Sequence, residues 1–127
     1  MLKFLQSAIV TIALFWCIPF VYGQKATEIF VPIGQSPGLS GKYTRIGKIT
    51  AIDTLKQTIA ITDSSGTYNA KITGRTKIWL DKSKIKSTNQ KGAVADLKKN
   101  LLVEVKYENN QRLDKAPAEW IKVQITE

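Results

Sequence analysis

The side chains that do most enzymatic chemistry are scarce in this chain. It has no His and a single Cys, Cys17, in 127 residues. Without an imidazole it builds no Ser-His-Asp triad and none of the His-liganded zinc sites of deaminases or metalloproteases. One Cys leaves no disulfide and no Cys-x-x-Cys redox pair. Carboxylate pairs can run acid–base hydrolysis without His, but the acids here are scattered. Asp53 and Asp63 fall in turns and Asp96 at a turn start. Glu104 and Glu108 alternate with Lys106, the pattern of a wet strand face. No Asp-x-Asp-x-Asp-Gly calcium loop is present. The expectation is a non-catalytic protein with no metal and no cofactor.

Two motifs resemble catalytic ones and fail on their neighbours. Ser83-Lys84-Ile85-Lys86 fits the Ser-x-x-Lys of serine acylation. With six serines and fifteen lysines after residue 23, about one such match arises by chance, and the companion Ser-Asp-Asn and Lys-Thr-Gly motifs are missing. Gly34 to Lys42 (GQSPGLSGK) is Gly-rich like a phosphate loop. A phosphate loop needs Gly where Ser36 stands and Ser or Thr where Tyr43 stands, and it opens a helix rather than a strand.

The basic surface is the stronger clue. Lys and Arg number 19 against 10 Asp and Glu, a formal charge of +9. Lys77, Lys82, Lys84, Lys86 and Lys91 crowd beside Trp79, and Trp120 and Lys122 are spaced to share the outward face of a later strand. Trp79, Lys82, Lys84, Lys86, Lys91, Trp120 and Lys122 therefore make a candidate ligand face. Lysines supply long-range attraction to anions, and aromatic rings supply a stacking surface. The competing reading is that the lysines only keep a small basic protein soluble, with Trp120 packed beneath the N-terminal lead-in and Trp79 in the core.

These residues are positioned by strands. Alternating apolar residues between turn signals predict strands over 46–52, 58–62, 67–72, 76–80, 101–108 and 118–126. Gly47 reads as a bulge or bend in the first. Asp63-Ser64-Ser65-Gly66 reads as a hairpin turn, followed by Tyr68, Ala70 and Ile72 facing inward. Leu101, Val103, Val105 and Tyr107 share a buried face, as do Ile121, Val123 and Ile125, with Trp120, Lys122 and Gln124 turned out. Residues 93–100 hold at most a helical turn, ended by Asn100 in the left-handed region. Residues 28–33 could pair as an edge strand, to which Pro32 would confine them. The fold class expected is all-β, a small antiparallel OB-like barrel of five to six strands.

The chain opens with Lys3, then thirteen uncharged residues from Ala8 to Phe20, then a small residue at Gly23. This order predicts a secretory signal peptide over 1–23, cut after Gly23; a retained anchor is the alternative. Residues 24–45 then form an irregular Gly/Pro-rich arm, and 46–127 the barrel. Cutting removes Cys17, so the exported chain would be Cys-free and fit an oxidising periplasmic or extracellular compartment, with no membrane span left.

GKITAID at 47–53, the turn-and-strand of Asp96 to Val105 and the closing AEWIKVQI resemble the small exported bacterial barrels of the OB type, among them domains of unknown function. The resemblance covers about residues 46–125 and brings no catalytic residue; Asn100 stands where the usual turn has Gly. It implies a binding or scaffolding module. Barrels of this type bind oligonucleotides or oligosaccharides, but an exported protein meets little nucleic acid. The expected partner is an anionic envelope glycan or lipid. Two alternatives are a structural partner of a larger envelope complex, contacting it through the GQSPGLSG arm or an open sheet edge, and a small carboxylate-dependent hydrolase.

Overall fold

The computed structural model describes residues 28–127, so the expected signal peptide lies outside the described residues. The described residues are all-β, with seven strands: β1 (Thr44–Asp53), β2 (Thr58–Asp63), β3 (Gly66–Lys71), β4 (Lys77–Asp81), β5 (Gln90–Lys91), β6 (Leu102–Tyr107) and β7 (Ala118–Gln124). They form one sheet in the order β3-β2-β1-β6-β7-β4-β5. All pairs are antiparallel except β4 with β7, which are parallel. The sheet is therefore mixed, with seven strands rather than five or six, and its hydrogen-bonded ladder does not close on itself. The parallel pair arises because residues 72–76 do not fold back as a hairpin; they carry the chain across to lie beside β7.

The two periodicities of the sheet assign its faces. Ile49, Ile59, Ile61, Ala70, Ile78, Leu80, Val103, Val105, Tyr107, Ile121 and Val123 belong to one buried cluster, so one face of every main strand contributes to a single core. Tyr107 is fully buried in it and donates its hydroxyl to the Asn69 carbonyl at 3.0 Å. Burial pushes its phenol pKa well above the usual value; the charge of Asp114 adds to this and that of Arg45 opposes it. Tyr68, expected inward, sits only half-buried at the margin, beneath the Arg45 guanidinium at 3.4 Å.

The turns follow local chemistry. Asp63 Oδ1 accepts from the Ser65 N–H, the Ser65 hydroxyl and the Gly66 N–H, which fixes the β2–β3 hairpin. Asn100 has φ 75°, the left-handed conformation expected before β6. Within 93–100 only Val94–Asp96 is helical, a single 3₁₀ turn. Residues 28–33 do not pair as an edge strand: Glu28–Phe30 form a 3₁₀ turn instead, since Pro32 lacks a ladder donor and the Glu28 carboxylate is drawn to partners on the sheet, described below.

Gly47 is not the bulge. The register shift in β1 falls between Ile49 and Ala51. A Cβ at Gly47 would lie 2.6 Å from the Thr62 carbonyl oxygen and 2.7 Å from Ile61 Cγ2, so this glycine permits a close approach of β1 to β2. Gly47→Ala should destabilise the protein by about 2 kcal/mol through overpacking, read as a lower urea midpoint at unchanged slope.

Candidate functional site

The outer face of β6, β7 and β4 carries polar groups on adjacent strands. Glu104 stands opposite Lys122, and Lys122 opposite Trp79; Lys106, Trp120 and Lys77 form the next row, and Asp81 stands opposite Gln124. Alternation along a strand dictates these rows, so Trp120 and Lys122 do turn away from the core as expected. They do not reach solvent. The arm from Glu28 to Tyr43 lies over this face, leaving Lys122 1%, Trp120 3% and Trp79 7% exposed. Gln124 is half-buried.

Each buried charge on this face is bonded to the arm. Lys122 Nζ donates to Glu28 Oε2 at 3.2 Å and to Ser36 Oγ at 3.0 Å. Below it, Trp79 and Trp120 stack with centroids 5.4 Å apart, and the ammonium sits 4.6 Å from the Trp120 ring centre. The ammonium is thus held by a carboxylate, a hydroxyl and an aromatic face. Among the described residues no buried side-chain polar atom lacks a partner.

Glu104 corrects the expectation of a wet strand face most sharply: it is fully buried. Its Oε2 accepts from the Ser40 hydroxyl at 2.6 Å and the Thr44 hydroxyl at 2.7 Å, and Oε1 from the Gly34 N–H at 3.0 Å. All three are donors, the set that an ionised carboxylate requires. The two hydroxyls in turn accept the N–H groups of Ser36 and Gly41, so the arm's backbone is tied to Glu104 through them. Lys106, on the same face, is mostly covered and pairs with Glu119 at 3.1 Å; Glu108 is exposed as expected and pairs with Arg75. Asp81 accepts the Ile33 N–H at 2.9 Å and both donors of Ser83. Burial alone would raise its pKa, but the hydrogen bonds of Ser83 and Ile33 and the charge of Lys122 outweigh it and hold the carboxyl below its usual value.

The lysines of the candidate face part company with its aromatics. Lys84, Lys86 and Lys91 are exposed and Lys82 half-buried. Lys82 to Asn89 form a loop beyond β4, where the Lys82 N–H bonds Asn89 Oδ1 at 2.6 Å and Lys86 adopts φ 54°. The structure thus joins Trp79, Trp120 and Lys122 in one buried cluster and leaves the other four lysines on or beside a surface loop. Sequence reasoning missed Glu104, Glu28, Ser36 and Ser40. The signal for them was slight: the Ser spacing of the arm and a Glu at a position that simple alternation reads as solvated.

Among the described residues no three His, Cys, Asp or Glu side chains cluster as a metal site. No protein-family model matches the chain, and neither a curated protein nor a solved structure matches it.

Two outcomes follow. Glu104→Ala strips the buried Thr44 hydroxyl and the Ser40 and Gly34 donors of the arm of their acceptor and should cost about 3 kcal/mol in urea unfolding, with faster proteolysis of the arm. The lowered pKa of Asp81 means that its native carboxylate contributes stability above the unfolded value of 3.8, lost as pH falls through the lower native value. Between pH 5 and 2.5 the unfolding midpoint of the parent should therefore fall more steeply than that of Asp81→Asn.

Proposed function

We propose that this protein is an exported, non-catalytic module of OB-like barrel type that binds an anionic ligand of the cell envelope through its exposed lysines. The observation that carries this reading is the charge of the segment after β4. Residues 82–99 hold six lysines and one acid, Asp96, and none of these lysines lies within ion-pairing distance of a carboxylate among the described residues. Uncompensated lysines on one segment attract polyanions and lose that attraction to salt. Among the described residues no helix is long and apolar enough to cross a membrane.

Strand order supports the barrel reading. β3 and β4 are consecutive in the chain, and both meet the β7 region: Lys71 bridges Pro117, and β4 runs parallel to β7. Treating 66–81 as one bent strand would make the order β1, β2, β3/β4, β7, β6 return to β1.

A structural-partner role through the arm or an open edge draws less support, because the chain itself uses both. The arm is bonded to Glu104, Lys122 and Asp81. At the β3 edge, the Asn69 N–H bonds Asp114 at 2.6 Å, and its carbonyl accepts from Tyr107 and Lys115.

Binding of the purified exported protein to heparin and to lipopolysaccharide should weaken at least tenfold between low and physiological salt. Lys84→Glu with Lys86→Glu and Lys91→Glu should abolish heparin binding at both, while the buried Trp79→Phe change leaves it within twofold. Isothermal titration reads all three, and salt-independent affinity would overturn the electrostatic reading.

A further inference from the structure

One end of the sheet carries a cleft with aliphatic walls. The β1–β2 turn, the β3–β4 connection and the 3₁₀ turn Val94–Asp96 enclose a cleft of about 350 Å³, walled by Ile52, Ile72 and Val94 with Thr58 and Thr73. Two aliphatic side chains stand out beside it: Leu55 is 96% exposed and Val94 53%. Turn chemistry holds both in place. Asp53 Oδ1 accepts the Leu55 and Lys56 N–H groups at 3.0 and 2.9 Å, and Asp96 Oδ2 accepts the Ala93 N–H at 2.7 Å. A leucine at the tip of a turn pinned in this way keeps its whole apolar surface in water, which a lone soluble domain gains nothing from.

Cations lie close in the chain or in register to these apolar groups. Lys56 adjoins Leu55, Lys71 is in register with Thr58 of the cleft wall, and Lys98 and Lys99 follow the Val94–Asp96 turn after the buried Leu97. All four are exposed, and none pairs with a carboxylate among the described residues. Of the acids at this end, Asp53 and Asp96 are engaged by backbone N–H groups and Glu108 by Arg75. Exposed aliphatics accompanied by unpaired lysines complement an interface that is apolar inside and anionic at its surface.

We propose that this end of the protein docks on an anionic lipid bilayer: Leu55 and Val94 enter among the acyl chains, the cleft receives the end of one chain, and Lys56, Lys71, Lys98 and Lys99 meet headgroup phosphates. The proposal rests on the reading of the protein as a binder of anionic envelope ligands and narrows that ligand to a lipid surface. A cleft of this volume is of the size that accepts a small apolar ligand portion. The contribution of the lysines falls with salt, and that of Leu55 and Val94 does not.

The test is methyl-resolved NMR of the exported protein with bicelles of phosphatidylcholine alone or mixed with phosphatidylglycerol, beside a heparin titration. The expected result is that the Leu55, Val94, Ile52 and Ile72 methyls shift with the anionic bicelles and not with heparin. Leu55→Ser with Val94→Ser should weaken bicelle binding at least tenfold and leave heparin affinity within twofold. Both sites are exposed, so the double variant should keep the parent spectrum elsewhere; broadening of the same methyls by a nitroxide-labelled lipid tests the parent protein without any substitution. Unmoved methyls, or a double variant that binds bicelles like the parent, would overturn the lipid assignment while heparin binding kept the broader reading intact. Loss of heparin binding in the parent would instead overturn that broader reading.

Discussion

Two opposite charges buried side by side on one sheet face set the terms for the rest of the structure. Glu104 on β6 and Lys122 on β7 stand opposite each other in register and are sealed from water. They do not pair with one another: Lys122 takes Glu28 and Ser36, and Glu104 takes Gly34, Ser40 and Thr44. Each unpartnered charge of this kind costs several kcal/mol. The arm is therefore no loose leader in front of a finished domain but the layer that makes the face tolerable. It is also what turns an open, one-sided sheet into a two-sided one, with an apolar core on the inner face and a hydrogen-bonded polar layer on the outer.

That arrangement redistributes the residues that look functional. Trp79 and Trp120 stack beneath a lysine whose charge is already answered, so their rings serve packing and cation–π contact within the fold. The lysines that stay exposed lie on the loops after β4 and around the β1–β2 turn, where the nearby Asp96 and Asp53 carboxylates are held by backbone N–H groups.

The core and the arm also account for the parallel pair. Ile78 and Leu80 of β4 join the inner cluster, while Trp79 and Asp81 face the arm. A strand with both faces covered reads as a nearly continuous buried run, and β4 is buried at Ile78, Trp79, Leu80 and Asp81. β3, by contrast, alternates and keeps one face wet. The change from one pattern to the other within a few residues marks the crossing from the β2 side of the sheet to the β7 side.

The sequence by itself determined the all-β class, most strand positions, the β2–β3 hairpin and the left-handed Asn100, because each depends on alternation or on turn chemistry within a few neighbours. It also separated inner from outer residues correctly along β6 and β7. What it did not contain was the fate of the outer face. Alternation says which way Glu104 and Lys122 point but not what lies beyond them, and the groups that cover them are 60 or more positions away in the chain. Register across three strands and the course of the arm decide whether an outward lysine meets water or a carboxylate. That choice rests on desolvation and hydrogen-bond geometry between distant segments, and only the tertiary structure makes it.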